Sequence, residues 1–577
     1  MAGPKAPKDP TQKRPGFYIM RDKEISGAVQ PDKTGIQFIY LDDGRLRSSA
    51  EIVGNITEEK MLDMLSTAEG FRQLVHSIGV CVETEDSGKQ AVFEFQMYGK
   101  LDLYGSGTTL SMELPADGME YMLDLSEYDW SEDDDKPGQI RFVFDEPQKD
   151  GAKAQAVASV KLYLNDGFTA PEPEEEERVD FETPYYQRML EKSLVQTGNN
   201  ARLKTAMEKA KRGEEITIAF IGGSITQGAG AVPINTKCYA YQTFEGLCRL
   251  AGKGVEENIH FIKAGVGGTP SELGMIRYER DVLRDGAVMP DIVVVEFAVN
   301  DEGDETKGEC YDSLVRKILK AENRPAVILL FSVFADDWNL QARLSVVGER
   351  YHLPMVSTKD CVVEQFYKKP GQGKVVTKNQ FFYDCFHPTN IGHKIMADGL
   401  CYLFQKVEES APDEDTLDLA EVPAPIGDAF ENVWLFDRSH DGTDGIRVIS
   451  IGDFSETDED LQGVEMDRDL TPTKEFPYNW KHVKGDKPFV MATCCSSLIL
   501  VCKDSAAPEA GCAQVFVDGE EVLLADPGIN GWTHCNPLIC FRGREQKMRH
   551  VEIRMQPGDE EKEFTILGFG VVDTPPK

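Results

Sequence analysis

The sequence predicts a mixed fold in which one α/β segment with a parallel five-stranded sheet lies between two antiparallel β-sandwiches. Three observations point to it. From Asn199 onward apolar strand-like runs alternate with helical periodicity, the pattern of a parallel sheet covered on both faces. On either side the runs are short and separated by Gly, Asp, Pro and Ser clusters, which is the pattern of antiparallel sandwiches. Between the first two segments "APEPEEEERVD", Ala170 to Asp180, gathers proline and like charges and is expected to extend rather than pack. The domains expected are 1–175, 180–420 and 425–577.

In the first segment "IQFIYL", "VCVET", "AVFEFQM", "EYMLDL", "QIRFVFD" and "SVKLYL" are strand candidates. A single helix is expected to interrupt them from Thr57, with an acidic first turn behind a threonine cap. In the second segment "NNARLKTAMEKAKRG" is helical and stops at Gly213. "ITIAFI", "IHFIKA", "DIVVVEFAV", "AVILLFSVF" and "LPMVS" then supply the five strands, and "NIGHKIMADGLCYLFQKVEE" closes the segment as a helix. The third segment returns to short strands, among them a hairpin turning at "VDGEE".

The 577 residues include 99 acidic against 62 basic side chains, a formal charge of -37. A field of that sign repels phosphate backbones and anionic lipids, so nucleic acid and membrane surfaces are not expected partners. The N-terminus has a basic start but no apolar run behind it, and no stretch approaches a membrane span, so a cytoplasmic location is expected. Thirteen cysteines with no C-x-x-C pair suggest buried thiols in a reducing compartment.

The chemistry concentrates at "FIGGSITQGAG", Phe220 to Gly230, which follows the first parallel strand. It is not a phosphate-binding loop, because Ala229 and Gly230 stand where a lysine and a hydroxyl are needed. No G-x-G-x-x-G follows the strand, which excludes the dinucleotide turn. A G-x-S-x-G elbow fails too, since Thr226 replaces its last glycine. Ser224 is nonetheless placed at a strand's carboxyl end, where a nucleophile needs a base, an orienting acid and donors for an oxyanion. "FFYDCFHPTNIGHK" offers Asp384 and His387 three residues apart, with Thr389 or Asn390 to cap the following helix. Gly267 and Gly268 in "KAGVGGTPS" offer backbone donors, and Asn300 in "EFAVND" a side-chain amide.

In this order the four blocks resemble the SGNH, or GDSL-like, hydrolase superfamily, over roughly residues 185–410. The resemblance implies a flavodoxin-like fold and an esterase that uses neither metal nor cofactor. It further implies Ser224 as nucleophile, His387 as base, Asp384 as its orienting acid, and an oxyanion hole of Ser224, Gly268 and Asn300. Three positions depart from the common pattern: Gly223 for the aspartate of G-D-S, Ala298 for a glycine, and Lys263 for an asparagine. His260 and His393 are expected to be structural histidines. Trp532, His534 and Asn536 in "GINGWTHCNP" could meet a sugar ring, Gly267 is a further candidate for substrate contact, and a buried tryptophan anchoring the sandwich explains Trp532 equally well.

The flanking sandwiches resemble the jelly-roll modules of bacterial multidomain carbohydrate O-acetylesterases, and "SLVQTGNNARLKTAMEKAKRGEEITIAFIGGSITQG" is similar to that group. The resemblance implies removal of acetyl groups from plant-polysaccharide-derived oligosaccharides. An acetylated oligosaccharide is the expected partner, and a homo-oligomer is left open. Two other readings stand beside it: an acyl-lipid or thioester substrate for the same machinery, and a carbohydrate-binding protein with a vestigial hydrolase segment.

Overall fold

A computed structural model describes residues 14–573 apart from 27, 30–35, 41–44, 86–87, 126–127, 145–154, 255–256, 370, 441, 444 and 460–474. The first thirteen residues, read above for targeting, lie outside the described part. Among the described residues no helix is long and apolar enough to cross a membrane, and none of the thirteen cysteines is in a disulfide.

The central sheet has six strands, in the order Leu194–Gln196, Met355–Ser357, Ala326–Phe331, Ile292–Glu296, Ile216–Gly222, Ile259–Gly265. Five run parallel, and the sixth, Leu194–Gln196, pairs antiparallel with Met355–Ser357. The expected parallel five are therefore present, with one edge strand added that the sequence reading missed. Three residues are too few to show a period. Two apolar layers sandwich this sheet. Leu203, Phe244 and Leu400 contribute to one, and Leu273, Leu314 and Leu344 to the other. The chain leaves Ile216–Gly222 to pair first on one side with Ile259–Gly265 and then on the other with Ile292–Glu296. That reversal opens a crevice at the carboxyl ends of the strands.

The N-terminal segment forms a four-stranded and a five-stranded sheet around one core that includes Phe71, Phe93 and Phe142. The single helix expected from Thr57 is instead two short ones, Glu59–Met64 and Ala68–Leu74. No side chain caps the first, whereas Thr67 restarts the second by accepting from Gly70 N–H at 3.1 Å. From Val75 the chain is a strand buried on both faces, and Val75 and Ile78, three residues apart, imitated the end of a helix. A further helix, Leu46–Ile52, went unrecognised.

The acidic segment 170–180 has no regular structure, as expected, but it is tied down. Glu176 accepts from Thr377 Oγ1 (2.5 Å) and Asn379 Nδ2 (3.0 Å), and Arg21 donates to Glu174 O (2.8 Å). Arg21, 3.7 Å from Glu176, and Lys374, paired with Glu174, bring cations from both flanking segments that offset the repulsion expected to keep it unpacked.

The C-terminal segment forms two five-stranded sheets. The expected hairpin joins Ala513–Val517 to Glu520–Ala525, with Asp518 and Gly519 both at positive φ, as a tight two-residue turn requires. Ile499, Val501 and Leu567 of this segment share a core with Leu273 and Ile276 of the central one, which fixes the sandwich against the sheet's helices.

Candidate active site

Register brings the motifs together. Gly222 lies opposite Gly265 on one neighbouring strand and Glu296 on the other. Ser224, Gly268 and Asn300 follow those three residues at short intervals, so all three reach the same stretch of the sheet's carboxyl rim.

Ser224 opens the short helix Ser224–Gln227. Three side chains hold this turn by its carbonyls. Arg277, fully buried, donates to Gly222 O (2.9 Å) and pairs with Asp281 (3.0 Å). Lys263 donates to Gln227 O (2.8 Å), placing a cation at the negative end of the helix. His393 faces Ala229 O through Nε2 (3.0 Å) and receives Tyr239 N–H at Nδ1 (3.1 Å). Burial pulls the His393 imidazole down to about 3, so it is neutral here. His393 thus has a structural role, and His260 is an exposed partner of Glu215.

The last loop carries Asp384 and His387. Thr389 caps the following helix by accepting from Gly392 N–H at 3.2 Å. Asp384 Oδ1 accepts from Phe386 N–H (2.8 Å) and His387 N–H (2.7 Å), which locks the carboxylate beside the ring. His387 Nδ1 meets Asp384 Oδ2 at 2.8 Å, and His387 Nε2 meets Ser224 Oγ at 2.9 Å. Burial alone would raise the Asp384 carboxyl, but His387, Arg45 and the Phe386 N–H outweigh it and hold it well below the usual carboxylate range. It is a carboxylate at neutral pH.

Asn300 lies against Gly223: a Cβ added to Gly223 would stand 2.3 Å from Asn300 Oδ1. The glycine that replaces the aspartate of G-D-S thus makes room for the amide. Asp301, fully buried, accepts from Ser271 N–H (2.8 Å) and Ser271 Oγ (2.7 Å), so the Asn300 turn is tied to the glycine loop. Burial pushes the Asp301 carboxyl up to about 8. Gly267 is buried, whereas Gly268 is exposed on the cleft at φ +68°.

The cleft above Ser224 has a volume of about 1180 Å³ and draws its walls from all three segments. Leu101 to Tyr104 come from the first, Phe334 and Phe386 from the second, and Pro508 and Trp532 from the third. Trp532 is partly exposed and lines this cleft, so it is not the buried anchor that was one of its two readings. A Cβ on Gly268 would come within 2.3 Å of its indole. His534 is buried and stacks on Trp532 at 4.4 Å between ring centroids, supporting the indole rather than facing the cleft. Asn536 donates to Asp504 (3.1 Å), in the same supporting network.

Sequence reasoning missed Arg277, Asp301 and Arg45 as members of this site. Asp301 stood in the quoted "ND" pair; the two arginines had no local signal.

Residues 220–395 match the GDSL-like Lipase/Acylhydrolase family. Among solved structures, a two-domain esterase described as active on acetylated mannans is 26% identical with a TM-score of 0.56, covering 67% of this chain and 99% of that one. A structure of such an esterase co-crystallized with mannopentaose is 24% identical with a TM-score of 0.55 over the same shares. Among curated proteins none matches the chain. Residues 220–395 are therefore a GDSL-like, SGNH-type hydrolase segment, and the activity is that of a carboxylic ester hydrolase.

Proposed function

We propose that this chain is a serine esterase that removes O-acetyl groups from plant-polysaccharide-derived oligosaccharides, with acetylated manno-oligosaccharides first among them. The observation that carries the proposal is the unbroken line from Ser224 Oγ through His387 to Asp384, at 2.9 and 2.8 Å. The first neighbour's activity on acetylated mannans and a cleft of about 1180 Å³ beside Ser224 support the substrate class. The three expected domains, with jelly-roll-like sandwiches at either end, are part of the same reading.

In the proposed mechanism Ser224 Oγ attacks the acetyl carbonyl carbon while His387 Nε2 takes its proton. Asp384 stabilises the imidazolium without accepting the proton. The negative charge on the carbonyl oxygen faces the backbone N–H groups of Ser224 and Gly268 and the Asn300 amide. Collapse breaks the bond to the sugar oxygen, which leaves with the proton from His387. Water then attacks the acetyl-enzyme, giving its proton to His387, and acetate and the free serine are released.

Mass spectrometry of acetylated manno-oligosaccharides before and after treatment tests this directly. Ser224→Ala should reduce deacetylation by at least ~10³-fold, with an unchanged unfolding transition, and wild-type turnover in that variant would end the proposal. A series of acetyl, butyryl and octanoyl esters tests the acyl group, since a preference for octanoyl would point to lipid instead.

A further inference from the structure

The outer side of the His387 loop is gripped by the N-terminal segment. Lys23, fully buried on the strand Gly16–Ser26, donates to Asn379 O and to Phe382 O (2.7 Å). Glu24, next to it, accepts from the Asn390 amide. Arg45 stands at the head of the helix Leu46–Ile52. Arg45 reaches furthest: its guanidinium lies 4.8 Å from the centre of the Phe386 ring, and its Nη1 lies 3.3 Å from Asp384 Oδ2. That is the same oxygen that meets His387 Nδ1.

Asp384 Oδ1 is already taken by two backbone donors, so the direction of Oδ2 decides where the imidazole sits. A planar guanidinium anchored on an aromatic face approaches such an oxygen from one direction only. The pair is largely shielded from solvent, with side-chain exposures of 29% for Arg45 and 12% for Asp384, so their attraction is screened less than on an open surface.

We propose that Arg45 is a positioning residue for the esterase reaction. Supplied by the N-terminal segment, it holds the Asp384 carboxylate in the orientation His387 needs, which makes that segment part of the catalytic machinery. The inference rests on the reading of Ser224, His387 and Asp384 given above. Arg45 also borders the cleft, so its effect on chemistry has to be separated from an effect on sugar binding.

The test measures kcat and KM of the full-length chain on p-nitrophenyl acetate, which has no sugar to bind, and on acetylated manno-oligosaccharides. Arg45→Ala is expected to lower kcat on both substrates about tenfold to a hundredfold, the scale of a misplaced catalytic group, with KM for the small ester little changed. Removing a cation beside the pair should also move the acid limb of the kcat/KM profile to higher pH, which a merely structural residue would not do. Guanidinium ion added to Arg45→Ala should restore part of the lost kcat. Arg45→Gln, which keeps much of the packing on Phe386, carries the same test if the alanine variant does not fold. Wild-type kcat on p-nitrophenyl acetate in these variants, or a loss confined to KM for the oligosaccharide, would overturn the proposal. Ser224→Ala run alongside separates the two levels: an active Ser224→Ala removes the triad reading itself, whereas an inert one with unimpaired Arg45 variants removes Arg45 alone.

Discussion

Gly268→Ala is the substitution whose consequence follows most directly from the geometry. The added Cβ would lie 2.3 Å from Cη2 and 2.4 Å from Cζ2 of Trp532, at a backbone φ of +68°. Carbon atoms rest ~3.5–4 Å apart, so one partner must retreat by ~1 Å or more, and the left-handed backbone adds ~1–2 kcal/mol of strain for any residue with a Cβ. If the loop retreats, the Gly268 N–H turns away from the oxyanion it is proposed to face, and losing one such donor raises the barrier by ~3 kcal/mol, about a hundredfold in kcat. If the indole retreats, chemistry on a small ester survives and only the grip on sugar suffers. Trp532 is backed by buried His534 at 4.4 Å, so the loop is the partner expected to yield. Steady-state kinetics on p-nitrophenyl acetate and acetylated manno-oligosaccharides, for Gly268→Ala, Trp532→Ala and the double variant, tell the two apart. The expected result is a loss of kcat near a hundredfold on both substrates for Gly268→Ala, a raised KM on the oligosaccharide alone for Trp532→Ala, and partial recovery of kcat in the double variant. Wild-type kcat in Gly268→Ala on both substrates would refute both the clash and the donor role.

Two further predictions concern the residues around Ser224. Gly223→Asp, which recreates the more common motif, would drive a Cβ to 2.3 Å from the Asn300 amide and should lower kcat at least ~tenfold; equal kcat for the two forms would show that Asn300 moves freely and is not held as a donor. His393 is neutral in the fold, pulled from 6.5 to about 3 chiefly by burial, while the unfolded chain takes up the proton near 6.5. Its contribution to stability is therefore whole above pH 6.5 and lost as pH falls through 3, reaching ~5 kcal/mol over the full window. Denaturant unfolding at pH 7 and pH 4 should show His393→Gln losing less stability over that interval than the parent, by up to ~3 kcal/mol. Equal losses would mean that the buried imidazole is not what titrates.

What the sequence disclosed follows from what short range can encode. Ser224, Gly268 and Asn300 each come just after an apolar run that ends in a parallel strand, and Asp384 and His387 just before a capped helix, so local pattern located them. Local pattern did not locate Arg45, because "DDGRLRSS" has no period and its partner Asp384 is 339 residues away. Nor could it decide between two readings of Trp532, since an indole in a loop looks the same in sequence whether it is buried or lines a cleft. The short edge strand Leu194–Gln196 and the two-helix turn after Thr57 failed for the related reason that three to seven residues are too few to fix a period.

The residue that joins these levels is one that no motif contains. The helix Ser271–Asp281 begins where Ser271 bonds Asp301 behind Asn300. Successive residues on a helix point ~100° apart, so Ile276 and Arg277 address different neighbours. Ile276 packs on the C-terminal sheet, where a Cβ on Gly570 would meet it at 2.7 Å. Arg277 crosses the other way to the Gly222 carbonyl beneath Ser224. One helix therefore sets the height of the Ser224 turn, the position of the Asn300 turn and the seat of the sandwich that carries Trp532. The C-terminal sandwich is placed by the same element that builds the catalytic rim, and a shift of one should be felt by the other.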